Sequence, residues 1–341
     1  MTQAPGAAIP VPNEGTSRTR VIWNASAGSK GGIPTNLVDE EGIRKVMARA
    51  HLGDELVATT TPDEARAQAA DAVSRGYELV VAAGGDGTVG TVAEPLLGTR
   101  TALGILPLGT VMNVARSLGI PRDLDGAADV ITTRQVREID VGQAGDRPFF
   151  EAASVGMNAA MFREAQRFED GDWSSIARTI WVALRYRPAR MSIDLEDRAI
   201  RTRALMVTVS NGPYIGAGMT VAPEARLDDG RFDVRVFRRF SKLRLLRHLV
   251  SIAFGRYRYA PEVDTYRSRF VRIKSASPLP ARADSRDLGT TPVEFVIRPR
   301  ALRIVVPAGA PAPAEAAAGA AGGSVTAPAS SPRAERPATR S

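Results

Sequence analysis

Leu79-Val80-Val81-Ala82-Ala83-Gly84-Gly85-Asp86-Gly87-Thr88-Val89 decides the fold. An apolar run stops at two glycines, an aspartate, a third glycine and a threonine, and a helix-like segment follows over 89–97. Strand, glycine turn, helix is how a chain presents bare backbone N–H groups and a helix N-terminus to a phosphate. On the N-terminal side, 19–24 reads as the first strand and runs into a second glycine-rich turn at 25–32. A helix is expected over 38–50, with Ile43, Val46, Met47 and Ala50 on one stripe, then a short strand at 55–58. Thr59-Thr60-Thr61-Pro62-Asp63-Glu64 carries the marks of a helix start: threonine, proline at the first helical position, acids in the first turn. That helix runs to Arg75, where Gly76 stops it. On the C-terminal side, 101–106 is another apolar strand, followed by Pro107-Leu108-Gly109-Thr110 and a helix over 112–118.

Strands alternating with helices predict βαβ units and a parallel sheet. Ligands of such sheets sit beyond the carboxyl ends of the strands. Three of these ends, at Asn24 to Gly28, at Gly84 to Thr88 and at Gly109–Thr110, carry Gly, Ser or Thr, and together they predict a site. From about Val136 the pattern changes to short strand-like runs at 137–141, 149–154, 191–195, 205–210, 232–237, 270–275, 293–297 and 302–306. Turns such as Asp228-Asp229-Gly230 separate them, the cadence of an antiparallel sandwich or barrel. Helices are expected at 158–168, 174–187 and 242–254. The expected organisation is therefore a three-layer, mostly parallel α/β domain over 19–135 and a mainly antiparallel β-sandwich domain over 136–307. Residues 1–18 and 308–341, rich in Ala, Pro and Gly, are expected to be disordered.

Composition narrows the chemistry. The 341 residues contain no cysteine, which excludes disulfides, thiolate metal sites and cysteine nucleophiles. The two histidines, His51 and His248, stand far apart, against serine–histidine catalysis and zinc. The net charge of +8 is carried almost entirely by arginine, which suits phosphates and anionic lipid headgroups, although a GC-rich genome gives the same excess. No run approaches the ~18 apolar residues of a membrane span, and the N-terminus lacks a basic-then-apolar signal pattern. A soluble cytoplasmic protein is expected, with contact to the inner membrane face left open. Nothing points to nucleic acid, and a homodimer is compatible with the sequence.

Three phosphate-loop readings compete for Gly84 to Thr88. A Walker loop needs a lysine, and none lies between Lys45 and Lys242. A dinucleotide fingerprint, G-x-G-x-x-G, is present at Gly85, Gly87 and Gly90, but no acid for a ribose lies between Glu94 and Asp123. The third reading is a family. Gly-Gly-Asp-Gly-Thr after a buried strand resembles the signature of the diacylglycerol-kinase-type lipid kinases, shared with the NAD kinases. Leu103 to Thr110 with Ala115 to Pro121 resembles their second nucleotide loop. Asn211 to Met219, then Ala222 to Ala225 and Leu227 to Gly230, resembles a second-domain motif, and Leu288 to Glu294 the segment after their catalytic loop. The likeness covers about 19–307 in consistent order.

The resemblance implies roles. Gly84, Gly85 and Gly87 would wrap ATP phosphates, and Thr88, Gly109, Thr110, Thr59 and Asn24 would line the nucleotide. Asp86 would cap the following helix or hold Mg²⁺ on the nucleotide. Where the family has an asparagine two places after the threonine, this chain has Met112, with Asn113 one place later. Asp229, with backbone oxygens of Arg226 and Arg231, resembles a structural Mg²⁺ site; a plain turn is the alternative. The family's catalytic loop reads Asp-Gly-Glu, and here it is Asp284-Ser285-Arg286. Arginine cannot act as a base, so either Asp284 or Asp287 serves, or the protein binds nucleotide and lipid with little turnover. The implied reaction is ATP-dependent phosphorylation of a lipid hydroxyl, diacylglycerol first, with an NAD kinase as the less favoured alternative. A basic amphipathic stretch at 242–258 is a candidate membrane contact, or a helix packed on the sandwich.

Overall fold

The structure, a computed structural model, describes residues 9–10, 18–25, 29–30, 33–34, 38–169, 179, 181–182, 185–216, 218–238 and 263–309. The disorder expected for 1–18 and 308–341, the helix at 174–187 and the basic stretch at 242–258 fall wholly or largely outside these residues, as does most of the turn at 25–32.

The first unit contains β1 (Thr19–Asn24), α1 (Glu40–Arg49), β2 (Leu56–Thr59), α2 (Pro62–Ser74), β3 (Leu79–Gly84), α3 (Asp86–Ala93), β4 (Ala102–Pro107), α4 (Asn113–Ser117) and α5 (Leu124–Thr132). The strands are all parallel, in the order β2-β1-β3-β4. Right-handed crossovers dictate the layers. The chain moves outward from β1 to β2 over α1, then back across β1 to β3 over α2, so α1 and α2 lie on opposite faces. Accordingly α1 packs with α5, and α2 with α3. The strand interiors are buried on both faces, as Val21, Ile22, Val80, Val81 and Leu103 show. Thr61 caps α2: its hydroxyl accepts from Glu64 N–H at 3.2 Å, and Glu64 reaches back to the N–H groups of Thr60 and Thr61. Helix α5, capped by Asp123, is missing from the sequence reading, which passed from the Pro121 stop straight to the strands.

The second unit contains β5 (Gln135–Ala144), β6 (Arg147–Phe149), β7 (Ala152–Gly156), α6 (Met157–Glu169), β8 (Ala189–Leu195), β9 (Ala199–Ala204), β10 (Met206–Ser210), β11 (Phe232–Phe237), β12 (Val263–Ser268), β13 (Phe270–Ser275), β14 (Pro280–Ala283), β15 (Arg286–Thr290) and β16 (Val293–Val305). One antiparallel sheet runs β12-β11-β10-β7-β14-β15. It packs on β9-β8-β13-β16 and β5, with Val155, Val207 and Val234 facing Ile193, Val271 and Phe295. Phe149 fills the space between the sheets, stacked on Phe232 at 5.6 Å and edge-on to Phe295 at 5.9 Å. Gly142 makes the room, because a Cβ there would lie 2.2 Å from the Phe149 ring. This is a β-sandwich beside a parallel α/β unit, the expected fold class.

The two units share a sheet. β16 begins in the sandwich beside β13 and ends parallel to β4, at Ile304↔Leu103, while β5 runs antiparallel along its length. The register shifts between Arg298 and Leu302, where Arg300 has φ +50°. Leu302 and Ile304 then pack into the core of the first unit. Asp140 of β5 pins this crossing: its buried carboxylate accepts from the N–H groups of Gly230 at 2.6 Å and Arg300 at 2.8 Å. The strand read at 302–306 thus completes the first unit's sheet, whereas the sequence cadence grouped it with the sandwich.

Candidate active site

Parallel pairing brings the carboxyl ends of β1, β3 and β4 to one edge, and the chain reverses direction between β1 and β3. Open α/β sheets bind ligands at such a switch point. Asn24 at the end of β1 spans it, donating from Nδ2 to Thr88 Oγ1 at 3.1 Å. Gly84 sits over Thr88 so closely that a Cβ would fall 2.5 Å from the threonine side chain. A Cβ on Gly109 would lie 2.8 Å from Gly85 Cα and 2.9 Å from Met112 Sδ. The turns after β3 and β4 therefore meet backbone to backbone. Gly87 is exposed, and a Cβ there would meet nothing within 4 Å. Its missing side chain serves no contact within the protein and keeps the space at the N-terminus of α3 open. Asp86 starts that helix, where its charge is favoured by the helix dipole, and no side-chain cap bond forms at Gly85.

Two expected nucleotide contacts are placed differently. The Thr59 hydroxyl is buried and donates to Trp23 O at 3.2 Å, turned into the sheet. Thr110 is exposed, and its carbonyl accepts from the Arg122 guanidinium. Met112 adopts φ +55°, which turns Asn113 inward. Asn113 Nδ2 then donates to Glu151 Oε2 at 2.6 Å and to Gly216 O at 2.8 Å, tying the loop after β4 to the second unit.

The loop expected to carry the catalytic acid is the tight hairpin between β14 and β15. Asp284 has φ +46°, and its carboxylate accepts from the N–H groups of Phe150 at 2.8 Å, Glu151 at 3.0 Å and Ala152 at 3.2 Å. Burial pushes its pKa up to about 6 against the pull of these bonds, and Asp86 adds to the rise. Asp287 faces elsewhere. It is exposed and gripped by Arg163 through bonds of 2.6 and 2.8 Å, and this guanidinium holds its carboxyl below the usual range. Arg286, in the family's glutamate place, forms an ion pair with Glu94, which Arg66 also holds at 2.8 Å. The pair joins the hairpin to the end of α3.

Sequence reasoning missed Glu151. It is only 8% exposed, and its pKa is raised well above the ordinary value, first by burial and then by the charges of Asp284 and Asp86. Its signal was there to read: a single acid in the apolar run Phe149-Phe150-Glu151-Ala152-Ala153. The tertiary structure gathers Asp86, Glu151 and Asp284 from three distant parts of the chain at the junction of the units.

The acids also decide what metal fits. Among the described residues no group of three or more His, Cys, Asp or Glu side chains is spaced to hold a metal by itself. Asp86, repelled by Glu151 and Asp284, offers hard oxygens suited to a Mg²⁺ shared with phosphates, and there the residues fit. Around Asp229 the carboxylate is already engaged within the protein. Its Oδ1 accepts the Arg231 N–H at 3.0 Å, its Oδ2 is paired with Arg267, and the Arg226 side chain binds Asp228 at 3.2 Å. Arg267 supplies Asp229 with the positive charge that a cation would bring.

Fold and junction define the class: a nucleotide-type α/β unit with a glycine cradle, fused through a shared sheet to a β-sandwich that carries buried acids. Two family models match along the chain, the diacylglycerol kinase catalytic domain at 18–144 and the YegS C-terminal NAD kinase beta sandwich-like domain at 151–306. Residues 18–144 belong to the diacylglycerol kinase catalytic domain family, a family of kinases. The chain is 25% identical over 299 residues to the diacylglycerol kinase of Bacillus subtilis, spanning 85% of this chain and 96% of that protein. A diacylglycerol kinase of Staphylococcus haemolyticus is 25% identical over 297 residues, 84% of this chain and 88% of the relative. The crystal structure of a diacylglycerol kinase from Bacillus anthracis shares the fold, with TM-score 0.67 at 19% identity over 86% of this chain and 98% of that one.

Proposed function

We propose that this protein transfers the γ-phosphoryl group of ATP to the hydroxyl of a lipid alcohol, with diacylglycerol the first candidate. The observation that carries the reading is the backbone contact between Gly85 and Gly109 at the carboxyl ends of β3 and β4, with Asp86, Glu151 and Asp284 near enough for their charges to interact. The names of the Bacillus and Staphylococcus relatives support the acceptor class.

In this reading the unit over 19–135 holds ATP and the sandwich over 136–307 receives the lipid. Backbone N–H groups at Gly85 to Thr88 and the N-terminus of α3 meet the phosphates. Asp86 holds Mg²⁺, which when bound neutralises charge on the transferring group. The Asn113 bridge fixes the angle between the units, so the acceptor hydroxyl meets the γ-phosphorus at a set distance. The work of such a site is positioning and charge neutralisation. No helix among the described residues is long and apolar enough to cross a membrane, and in this reading the lipid is met at a bilayer surface.

The test is phosphorylation by the purified protein with γ-labelled ATP and Mg²⁺, offered dioleoylglycerol, phosphatidylglycerol and sphingosine in mixed micelles and NAD in solution. Label in a lipid is expected. Label confined to NADP, or no transfer to any acceptor, sinks the reading.

A further inference from the structure

The family's proton acceptor has no counterpart at its own position, since Arg286 points at Glu94. Each of the two nearby aspartates is otherwise engaged. Asp284 spends its oxygens on three backbone N–H groups, and Asp287 is clasped by Arg163 at the surface. One acid in the junction retains free capacity. The Asn113 bond ends on Oε2 of Glu151, outside which Oε1 lies.

We infer that Glu151 is the general base of the transfer, with Asp284 the positioning residue that holds the Glu151 backbone. Three features place it so. Its own N–H is fixed by Asp284 Oδ1 at 3.0 Å, so the side chain leaves a rigid point. Asn113 steers the carboxyl from the nucleotide side of the junction. The next residue, Val114, donates its N–H to Asp86 Oδ1 at 3.5 Å, which sets the Asn113–Glu151 pair beside the glycine turn where the γ-phosphorus is expected. The charged groups that face it are Asp284, Asp86 and Arg282. Burial and the two aspartates raise its pKa, and Arg282 and the Asn113 bond lower it. A base of raised pKa is a stronger proton acceptor once ionised.

The step balances without further reagents. The acceptor oxygen forms a bond to the γ-phosphorus, and the bond from that phosphorus to the β–γ bridging oxygen breaks. ADP leaves with the electron pair, and the hydroxyl proton passes to a Glu151 carboxylate oxygen and then to water. The inference rests on the kinase reading above, and the test separates the two. Parent, Glu151→Gln and Glu151→Asp are compared in lipid phosphorylation across pH 5–9, with ATP affinity measured alongside. Gln keeps an oxygen for the Asn113 bond. The expected result is a kcat loss of about 10²–10⁴-fold in Glu151→Gln with ATP affinity unchanged. The parent's activity should rise with pH as Glu151 ionises, and that rise should vanish in Glu151→Gln. Glu151→Asp should keep at least about tenfold more activity than Glu151→Gln and a displaced rise. An active parent with an equally active Glu151→Gln overturns the inference and leaves the kinase reading standing. A parent inert on every lipid overturns both. Should Glu151→Gln fail to fold, an unshifted pH profile in Glu151→Asp overturns the inference by itself.

Discussion

At the end of β3 the chain turns on Gly84, Gly85 and Gly87, and what it offers a ligand is backbone. Between β14 and β15 it turns on Asp284 and Ser285, and there side chains bind partners drawn from elsewhere: Asp284 the N–H groups of 150–152, whose Glu151 takes Asn113, and Arg286 the carboxylate of Glu94. A backbone cradle is local, since its parts follow one another in sequence and need only small residues. A side-chain junction is made by long-range packing. One acid can take over another's place in space without sharing its place in sequence. The first kind of site tolerates drift in its surroundings, and the second can be rewired.

The sharpest way to break this contrast is Gly109→Val. Its Cβ would meet the Gly85 backbone, which cannot swing aside as a side chain would. ATP affinity should fall at least about 100-fold, roughly 2.7 kcal/mol, with overpacking costing a further 1–3 kcal/mol or so of stability. Titration calorimetry with ATP checks it, and an unchanged affinity would break the cradle side of the comparison.

Asp284→Asn tests the junction by pH. The native pKa of about 6 lies above the ordinary carboxyl value of 3.8. The native state therefore binds the proton more tightly than the unfolded chain. Stability from this group is fully present below pH ~4 and is lost as pH rises towards 6. Asparagine carries no charge but has one acceptor oxygen where three N–H groups converge, so the variant should be less stable by about 1–3 kcal/mol at pH 4. That gap should narrow by pH 7 as the parent's carboxyl ionises. Thermal melts at both pH values read it, and a gap that widens with pH contradicts the account.

Asp287→Asn sharpens the same comparison with a smaller effect. Its pairing with Arg163 is at the surface, so stability should change by about 0–1 kcal/mol and lipid phosphorylation should stay within a few-fold of the parent. A hundredfold loss would return the catalytic role to Asp287. The smallest effect is expected at the turn after β10 that holds Asp229. Without nucleotide, adding or chelating Mg²⁺ should leave the melting temperature unmoved, and Asp229→Ala should cost only the Arg267 pairing and the Arg231 N–H bond, together about 1 kcal/mol. A Mg²⁺-dependent rise in the parent that disappears in Asp229→Ala would restore the cation at that turn.

How much was legible follows the same division. The glycine turn, the βαβ alternation and the Thr61–Glu64 capping box are local, and composition and spacing carry them. Helix α5 escaped because Leu-Asp-Gly-Ala-Ala-Asp holds a glycine and two aspartates, poor helix formers that packing on β4 overrides. Strands β9, β14 and β15 are short or charged, and only neighbours in the sheet make them strands. Glu151 was visible as a charge in an apolar run, yet nothing local says that the charge stands between Asp86 and Asp284.

By itself, the sequence determined the parallel α/β class, the glycine turn at Gly84 to Thr88 and the family, because each rests on residues adjacent in the chain or on motifs in a consistent order. Only the tertiary structure decided where the units join. β16 crosses from the sandwich into the first sheet, turned at Arg300 by the Asp140 carboxylate. It also decided which acid stands at the junction, because the hydrogen bonds that aim Glu151 come from Asn113 and Asp284, 38 and 133 positions away. Such partners meet only when the whole chain has buried its core.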